Sequence, residues 1–596
     1  MNAAGTRMPA WAAALTGLVA GAVALGAAQI VAGLIDPGAA PVVAVGGAAV
    51  DATPAGLKEW AIRTFGSNDK PVLLGGIVVV LALVAAGLGL LARRRTAYGT
   101  LGLALFGLVG AAAVLSRPDA GAAHVLPSIA GAAAGAWTLS RLTRRAMGSG
   151  EEDYVAASRA ADQGVSETPL AAPVPAENTG KSTGKSTGKS TGKSTGESGL
   201  GNRHASVLAE SHAAEPGPAV PPVMRAGARP GPGPGSAPYA FDRRRLLTGA
   251  AAGVAVAGVA GLGGWLLSSS KDAELARRGV ARMLPRAARP AAPIPAGADL
   301  RIPGLAPFVT PNAEFYRVDT ALVVPSVDPA RWTLKIHGLV DRPVELTFAD
   351  LLKRPLMEAD VTLTCVSNEV GGPYAGNARW LGARLADVLR EAGIRREADM
   401  LLSVSEDGWT CGTPVDVVMD GRDALLAVAM NGEVLPEAHG FPVRQVVPGL
   451  YGYVSATKWV TEIRVSRFDR DEAYWTPRGW APRGPIKTQS RIDLPRDGDE
   501  VTAGRTTVAG VAWAQHRGVD AVEVRVDGGA WRQARLADVP GPDTWRQWSL
   551  DLDLTPGRHT ISVRATDATG YTQTADEAPP APDGATGLHT VTVTAR

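Results

Sequence analysis

Four apolar stretches in the first 140 residues constrain this chain more than any other feature. Each is close to the roughly twenty residues that a helix needs to cross a bilayer, and almost no charge interrupts it. Four such runs favour membrane-spanning helices over buried core helices of a soluble protein. We therefore predict a four-helix transmembrane region over residues 1–145. The stretches are about 10–35, 71–92, 97–116 and 121–140.

Arginines between the apolar stretches predict their orientation. Arg93–Arg95 lie between the second and third stretches, and Arg144 and Arg145 follow the fourth. Cytoplasmic loops carry an excess of Lys and Arg. The N-terminus and both clusters are therefore expected on the cytoplasmic side of a multi-pass cell (plasma) membrane protein.

Histidine content bears on whether this region carries electrons. Residues 1–145 contain one histidine, His124. A transmembrane b-type haem needs axial ligands facing each other across helices, which one histidine cannot supply. The region is better interpreted as an anchor or a module for docking a partner.

Residues 146–241 have the composition of a disordered linker that is rich in Gly, Ser, Pro and Lys. Four copies of Lys-Ser-Thr-Gly run from Lys181 to Gly196, and such segments do not bury enough apolar surface to order themselves. Arg243–Arg245 and the apolar run after them resemble a twin-arginine export signal. Residues 242–270 therefore form that signal or a fifth transmembrane anchor, and both place the rest of the chain outside the cytoplasm. An Arg-, Ala- and Pro-rich spacer is predicted over 271–299.

The second half of the chain should hold the large packed cores, because 21 of the 31 aromatic residues come after residue 300. Lys and Arg number 60 against 57 Asp and Glu, a balance that gives no indication of nucleic-acid binding. Over 300–490 the pattern predicts one α+β domain, with strands at Trp332–Gly338 and Val361–Val366. Short helices are expected at Phe348–Lys353 and Leu385–Ala392.

Residues 495–596 change to short strands that turns separate. Val522–Val526 alternates, Asp527–Gly529 predicts a hairpin turn, and Trp531–Leu536 is the expected return strand. A chain of about a hundred residues with this pattern predicts an immunoglobulin-like β-sandwich.

The chain has two cysteines, Cys365 and Cys411. Outside the cytoplasm they could form a disulfide. Cys365 could instead be a nucleophile with His439 as its base, or a thiolate ligand of a metal, since its strand ends at a glycine-rich loop. The cysteines alone leave these alternatives open.

Seven motifs between residues 300 and 490 make the metal interpretation more specific. Because these motifs occur together and in sequence, the chain resembles the sulfite oxidase family of molybdopterin-dependent oxidoreductases. Together with the predicted sandwich that follows, the resemblance covers about half of the chain. The motifs are Thr310–Arg317, Thr362–Asn368, Asp407–Pro414, Met430–Gly432, His439–Arg444, Val447–Gly449 and Ala456–Trp459.

The resemblance implies a molybdopterin-binding catalytic domain over 300–490 and an immunoglobulin-like dimerisation domain after it, hence a possible homodimer. It implies a molybdenum–molybdopterin cofactor, with Cys365 as the metal ligand and catalytic residue. The positions that the resemblance assigns to cofactor binding are Asn312, Tyr316, Arg317, Cys365, Asn368, His439, Arg444, Ala456, Thr457 and Lys458.

The implied activity is two-electron oxygen-atom transfer on a small substrate, with single electrons exchanged with a cytochrome or a quinone-linked partner. Sulfite oxidases proper carry an arginine shortly after the asparagine of the cysteine loop, where this chain has Glu369 and Val370. They also carry a tyrosine before Met-Asn-Gly, which is absent here. An arginine from the second domain, Arg517 or Arg546, is a candidate replacement.

The substrate is therefore expected to be sulfite-like or a sulfoxide or N-oxide. Cys411 is expected to be a free, inactive thiol near the pocket. The alternative function is a non-catalytic surface module that retains the fold and binds a partner.

Overall fold

The computed structural model describes residues 8–54, 57, 64, 69–116, 121–147, 241–268 and 271–596. The chain divides into two units, the first made of Met1–Thr6 and Met147–Phe241 and the second of Arg7–Ala146 and Asp242–Arg596. Apart from Met147 and Phe241, the first unit lies outside the described residues, and so do the predicted linker and its Lys-Ser-Thr-Gly repeats. Every sheet of the described chain belongs to the second unit.

The N-terminal part of this second unit is helical, as predicted. Four segments of the described chain are long and apolar enough to cross a membrane: Ala10–Ile35, Val72–Ala92, Thr96–Leu115 and Arg243–Gly263. The helices are α1 (Ala10–Ile35), α2 (Pro41–Ala52), α3 (Asp69–Ala92), α4 (Thr96–Leu115), α5 (Leu126–Met147) and α6 (Arg243–Ser268).

Two details differ from the sequence prediction. The fourth apolar stretch is a helix, but α5 begins at Leu126 rather than near 121 and is not one of the four membrane-length apolar segments. Its C-terminal half is polar and basic, with Arg141, Arg144 and Arg145. The short apolar helix α2 was not predicted.

Small residues let the helices approach closely, as is common in membrane helix pairs. A Cβ on Gly21 of α1 would lie 2.9 Å from that of Ala85 in α3, and one on Gly135 of α5 would lie 2.9 Å from that of Ala24 in α1. A Cβ on Gly26 would likewise lie 3.0 Å from that of Ala260 in α6.

These pairings fix the helix directions. Gly17 of α1 lies against Gly89 and Gly21 against Ala85, so α1 and α3 are antiparallel. By the same reasoning α5 is antiparallel to α1, and α6 is parallel to it. The arginines that follow α3 (Arg93–Arg95) and those in the last turn of α5 therefore lie at the same end of the bundle as Arg243–Arg245, which begin α6.

A helix, α7 (Lys271–Met283), occupies the first part of the predicted spacer. The segment is rich in Ala, Leu, Glu and Arg, which favour helix. It is also anchored to the following domain, because Val280 is buried and the Arg277 Nε donates to the Leu435 carbonyl oxygen at 3.1 Å.

The predicted α+β domain contains two sheets and three short α-helices in the described residues. The predicted helices are present, and Gly393 ends the second with a φ of 72°. The helices are α8 (Phe348–Leu352), α9 (Leu385–Ala392) and α10 (Val415–Met419). The strands are β1 (Thr333–Gly338), β2 (Val344–Thr347), β3 (Leu356–Thr364), β4 (Ala375–Arg384), β5 (Met400–Ser405), β6 (Thr410–Pro414), β7 (Leu425–Met430), β8 (Glu433–Val434), β9 (Arg444–Val446) and β10 (Val460–Ser466).

One sheet has the order β3-β4-β7-β8, with β9 also paired to β7, and the other has the order β2-β1-β10-β5-β6. All pairs are antiparallel except β1 with β10. Most of the buried apolar residues of both sheets form one hydrophobic core, which also includes Trp459. This core holds the ends of β3, β5 and β9 in fixed positions.

The C-terminal segment forms two sheets, of orders β11-β13-β17-β16 and β12-β19-β18-β14-β15, which share one hydrophobic cluster. The predicted return strand Trp531–Leu536 is divided: β15 pairs with β14, whereas β16 pairs with β17 in the other sheet. The immunoglobulin-like assignment stays a prediction. The strands are β11 (Gln489–Leu494), β12 (Glu500–Val501), β13 (Gly504–Trp513), β14 (Val519–Val526), β15 (Arg532–Gln533), β16 (Arg535–Leu536), β17 (Arg546–Leu554), β18 (Gly557–Asp567) and β19 (His589–Ala595).

Candidate active site

A short loop presents Cys365 directly after β3. The Cys365 N–H donates to the Tyr374 carbonyl oxygen at 3.0 Å, and the Tyr374 N–H donates to Asn368 Oδ1 at 2.7 Å. Both hydrogen bonds close the loop that joins β3 to β4. Asn368 therefore helps to fix the loop that carries the Cys365 thiol. Cys365 Sγ lies 2.9 Å from Ser367 Oγ, and burial raises the pKa of the thiol.

Arg444 is a buried cation at the start of β9. Its guanidinium lies over the Trp380 ring, 4.9 Å from the ring centroid, and Nη1 donates to the His439 carbonyl oxygen at 3.2 Å. Nε is buried and has no hydrogen-bond partner. Burial lowers the pKa of Arg444 to about 10. A buried guanidinium without a carboxylate is unfavourable unless an anion reaches it.

Lys458 lies next to Arg444 because the chain segments that carry them run side by side. The Gln445 N–H donates to the Thr457 carbonyl oxygen at 2.8 Å. Gly440 permits this close approach, since a Cβ there would lie 3.0 Å from that of Arg444 and 3.1 Å from Lys458 Cα. Burial lowers the pKa of Lys458 to about 8.

Asp319 bridges two cations. It accepts from Lys458 Nζ at 2.5 Å and from Arg317 Nε at 2.8 Å, and its own side chain is 4% exposed. One carboxylate is therefore shared by two positive charges, so one of these charges is left without compensation from Asp319.

His439 is buried and neutral. Its Nε2 lies 3.1 Å from the Asn312 carbonyl oxygen, which can only accept, so Nε2 carries the proton and Nδ1 is left as an acceptor. Burial, with Arg444 adding to it, lowers the pKa of His439 to about 4. Phe315 packs edge-on against this ring, with centroids 5.6 Å apart.

A cavity of about 630 Å³ joins these groups. Seven of the ten predicted site residues line it: Tyr316, Arg317, Cys365, His439, Arg444, Ala456 and Lys458. Desolvation raises the pKa of the Tyr316 phenol, which keeps it protonated. The predicted residues thus converge on one space.

Three predicted residues do not line the cavity. The Oδ1 of Asn312 accepts a hydrogen bond from the Nδ2 of Asn431 at 2.9 Å. The backbone carbonyl oxygen of Asn312 is the partner of His439 Nε2. Asn368 shapes the cysteine loop, and Thr457 is buried beside the Cys411 thiol. Each of the three lies in or beside a segment that carries a cavity residue.

Other sequence expectations can also be placed. Both cysteines are free, so the disulfide alternative is not observed. Cys411 is fully buried and burial raises its pKa to about 11, as expected for an inactive thiol. Neither Arg517 nor Arg546 lines the cavity. Arg517 pairs with Asp567 at 2.9 Å, and Arg546 donates to the Ala537 carbonyl oxygen at 2.7 Å.

Several lining residues were not predicted. Asp319 and Ser405 line the cavity, and the Ser405 hydroxyl is buried without a hydrogen-bond partner. An aromatic group adds to them: Trp409, Tyr453, Tyr474, Trp475 and Trp480. Three aromatics within Tyr474–Trp480 were a visible signal, whereas nothing near Ser405 marked it.

Comparison with known proteins identifies the family. Residues 321–475 match the family model described as an oxidoreductase molybdopterin binding domain. Human mitochondrial sulfite oxidase is 32% identical over 303 residues, 43% of this chain and 55% of that protein. An uncharacterised oxidoreductase of Bacillus subtilis is 36% identical over 157 residues, 26% of this chain and 76% of that relative. The chain belongs to the sulfite oxidase family.

This sulfite oxidase family member spans about half the length of the mammalian sulfite oxidases that it matches, 55% in each of them. Its similarity extends to a solved structure, the sulfane dehydrogenase SoxCD of Paracoccus pantotrophus. That alignment has a TM-score of 0.41 and 26% identity, and covers 48% of this chain and 80% of the SoxCD chain.

The family implies a molybdenum–molybdopterin cofactor, and the cavity suits it. The buried Arg444 Nε and Ser405 Oγ have no partner within the protein, and Arg444 offers a charge that a phosphate would neutralise. The described residues contain no group of three or more His, Cys, Asp or Glu that could hold a metal. Cys365 is the free thiol in the cavity lining, and it is the residue that would offer a thiolate to the metal of such a cofactor.

Proposed function

We propose that this chain is a membrane-anchored, extracytoplasmic molybdenum-cofactor oxidoreductase that transfers oxygen atoms and acts on neutral oxides such as sulfoxides or N-oxides. One observation carries the proposal: a free thiol, Cys365, and an unpaired buried guanidinium, Arg444, line the same cavity. A thiolate can ligate the metal of such a cofactor, and a buried guanidinium can neutralise its phosphate.

In this proposal the chain holds the cofactor at two ends. Cys365 supplies the thiolate, and Arg444 with Lys458 holds the phosphate. His439 Nδ1 and the Tyr316 hydroxyl offer an acceptor and a donor to the pterin. Asn312, Asn368 and Thr457 act indirectly, by fixing the residues that touch it.

The cofactor, when bound, supplies a metal that exchanges an oxygen atom and two electrons with the substrate. The protein then has to orient the substrate and provide protons. Asp407 lines the same cavity and can relay protons from solvent.

The charge of the cavity favours a neutral substrate. Its described lining carries three cations (Arg317, Arg444 and Lys458) and three carboxylates (Asp319, Glu369 and Asp407). The cofactor itself brings negative charge, so no cation remains to hold an anion such as sulfite. Neither Arg517 nor Arg546 lines the cavity, so neither adds a positive charge that could hold an anionic substrate.

The arrangement of the helices supports the proposed location. Arginines cluster at one end of the bundle, which the positive-inside bias places in the cytoplasm. Since α6 begins at that end and is long enough to cross, the catalytic domain that follows it would emerge on the other side. The location is the same whether Arg243–Arg245 act as an export signal or only as an anchor.

A substrate panel tests the proposal. The full chain is purified in detergent from a host that makes the cofactor. In one assay it is supplied with a reduced viologen and a sulfoxide or an N-oxide. In the other assay it is supplied with sulfite and an electron acceptor. We expect the neutral oxides to react and sulfite to react more slowly. Cys365→Ser should abolish turnover, whereas the matched variant Cys411→Ser should retain it.

Two results would contradict the proposal. Faster turnover with sulfite than with any neutral oxide would overturn the substrate assignment. A molybdenum-loaded chain that is inactive on the whole panel would favour the alternative of a non-catalytic surface module.

A further inference from the structure

The cavity is lined by membrane helices as well as by the catalytic domain. Val50 and Thr53 come from the end of α2, and Val72 and Leu73 from the start of α3. Leu57 lies between them in sequence and also lines it. Leu57 and Val72 are 53% and 45% exposed. The space beside Cys365 therefore extends to the apolar outer end of the bundle.

One segment of the catalytic domain leads from the cofactor residues to the helices. Tyr316 and Arg317 lie at its inner end, and Asp319 pairs there with Lys458. At the other end, Leu322 packs against α2: a Cβ on Gly46 would lie 2.9 Å from Leu322 Cδ1. Because 315–320 and Leu322 line the cavity, the path between the two ends is continuous.

The walls of this path suit a flat ring with an apolar tail. Trp409, Tyr474, Trp475 and Trp480 supply aromatic faces that stack on rings. The valines and leucines of α2 and α3 supply an apolar entrance next to the lipid. A lipid-soluble molecule can reach this entrance from the membrane, whereas a polar one must enter from water.

We propose that the outer part of the cavity binds a membrane hydroquinone, which is the electron donor of the enzyme. This inference rests on the proposed oxide reduction and names its partner. A donor that comes to the cavity also accounts for a bundle with one histidine, since no haem is then needed to carry electrons across the helices.

The reaction balances. Oxidation of one hydroquinone to the quinone breaks two O–H bonds and releases two electrons and two protons. Reduction of one sulfoxide or N-oxide consumes two electrons and two protons, breaks the S–O or N–O bond and forms one water. Asp407 and Glu369, which both line the cavity, are the carboxylates that can accept the protons of the hydroquinone.

Paired variants in α3 test the site. Val72→Trp fills the entrance, whereas Val79→Trp places the same side chain on an exposed position of the same helix that does not line the cavity. Binding of a benzoquinone with a decyl tail to the full chain in detergent is measured by titration calorimetry. We expect Val72→Trp to weaken binding by about tenfold or more, the equivalent of ~1.4 kcal/mol, and Val79→Trp to leave it unchanged.

Turnover provides a second measurement. With the reduced quinone as donor, oxide reduction should fall in Val72→Trp in proportion to binding, while turnover with a reduced viologen stays as in the wild type. Should Val72→Trp fail to insert, Pro579→Trp narrows the same cavity from the C-terminal domain, where Pro579 is exposed.

The outcomes separate this inference from the proposed function. The hydroquinone site is overturned if the chain reduces an oxide with viologen but does not bind the quinone. It is also overturned if Val72→Trp binds the quinone as tightly as the wild type. Either result leaves the proposed function standing. Quinone binding without viologen-driven reduction of any oxide refutes the proposed function, and the donor role falls with it.

Discussion

Replacing Arg444 by methionine should stabilise the cofactor-free chain and at the same time abolish its retention of the cofactor. The two effects have opposite signs because a guanidinium buried without a carboxylate costs stability, whereas the phosphate of the cofactor would bind to it. Methionine keeps most of the volume and the apolar contacts but removes the charge.

The pKa of Arg444 sets the size of the effect. Burial lowers this pKa to about 10, and each pKa unit is worth about 1.4 kcal/mol, so the charged form destabilises the cofactor-free fold by roughly 3 kcal/mol. Since the pKa is lower in the fold than in the unfolded chain, this cost is fully present at neutral pH, begins to fall as the pH rises through about 10, and disappears only above the ordinary pKa of arginine.

Some of that gain is lost again. The variant gives up the hydrogen bond to the His439 carbonyl oxygen and the contact with the Trp380 ring, together worth about 2 kcal/mol. The net stabilisation is therefore about 1 kcal/mol, which raises the melting temperature of a domain of this size by about 2–4 °C.

The assay compares the full chain from hosts with and without molybdopterin synthesis. Thermal unfolding reports stability, and the fluorescence of the oxidised pterin reports retention. Arg379→Met is the matched control, because Arg379 pairs with the buried Asp360 at 2.7 Å. Its loss leaves that carboxylate unpaired and should destabilise the fold by about 3 kcal/mol. If Arg444→Met lowers the melting temperature as Arg379→Met does, or retains the pterin, the role of Arg444 as an anion ligand is wrong.

Three further results are expected. Cys411 should resist thiol-specific reagents in the folded chain up to about pH 11, since burial raises its pKa that far; rapid labelling in Cys365→Ser would contradict this. Binding of the cofactor to the cofactor-free chain should weaken as the pH rises above about 8, because Lys458 then loses its charge; Lys458→Arg should move this onset to higher pH, and binding that does not depend on pH would exclude a phosphate contact. Alkaline phosphatase fused after Arg596 should be active and after Arg95 inactive; the reverse pattern would invert the proposed orientation.

Local patterns in the sequence predicted most of the individual elements. The alternation before Cys365 placed the thiol at the end of a strand, and Gly393 marked the end of a helix correctly. Apolar length placed the helices of the membrane region, because length and hydropathy are properties of the segment alone. The ordered motifs named the family and the residues around the cavity.

Long-range contacts account for what the sequence did not reveal. Asn312 and Asn368 belong to the predicted motifs, yet they act by bonding to Asn431 and to the Tyr374 backbone, which motif order does not show. Ser405 and Asp319 reach the cavity only because two sheets and a connecting segment meet there. The same applies to the α2 and α3 residues at the entrance, which lie far from Cys365 in sequence.

The molybdenum content of the purified full chain decides whether Cys365 holds a metal. The chain and its Cys365→Ser variant are expressed in a host that makes molybdopterin, and the metal is measured by mass spectrometry against protein concentration. We predict equimolar molybdenum in the wild type and in Cys411→Ser, and its loss in Cys365→Ser. A wild-type chain without molybdenum, or a Cys365→Ser variant that keeps it, would show that this thiolate is not the ligand of a molybdenum cofactor.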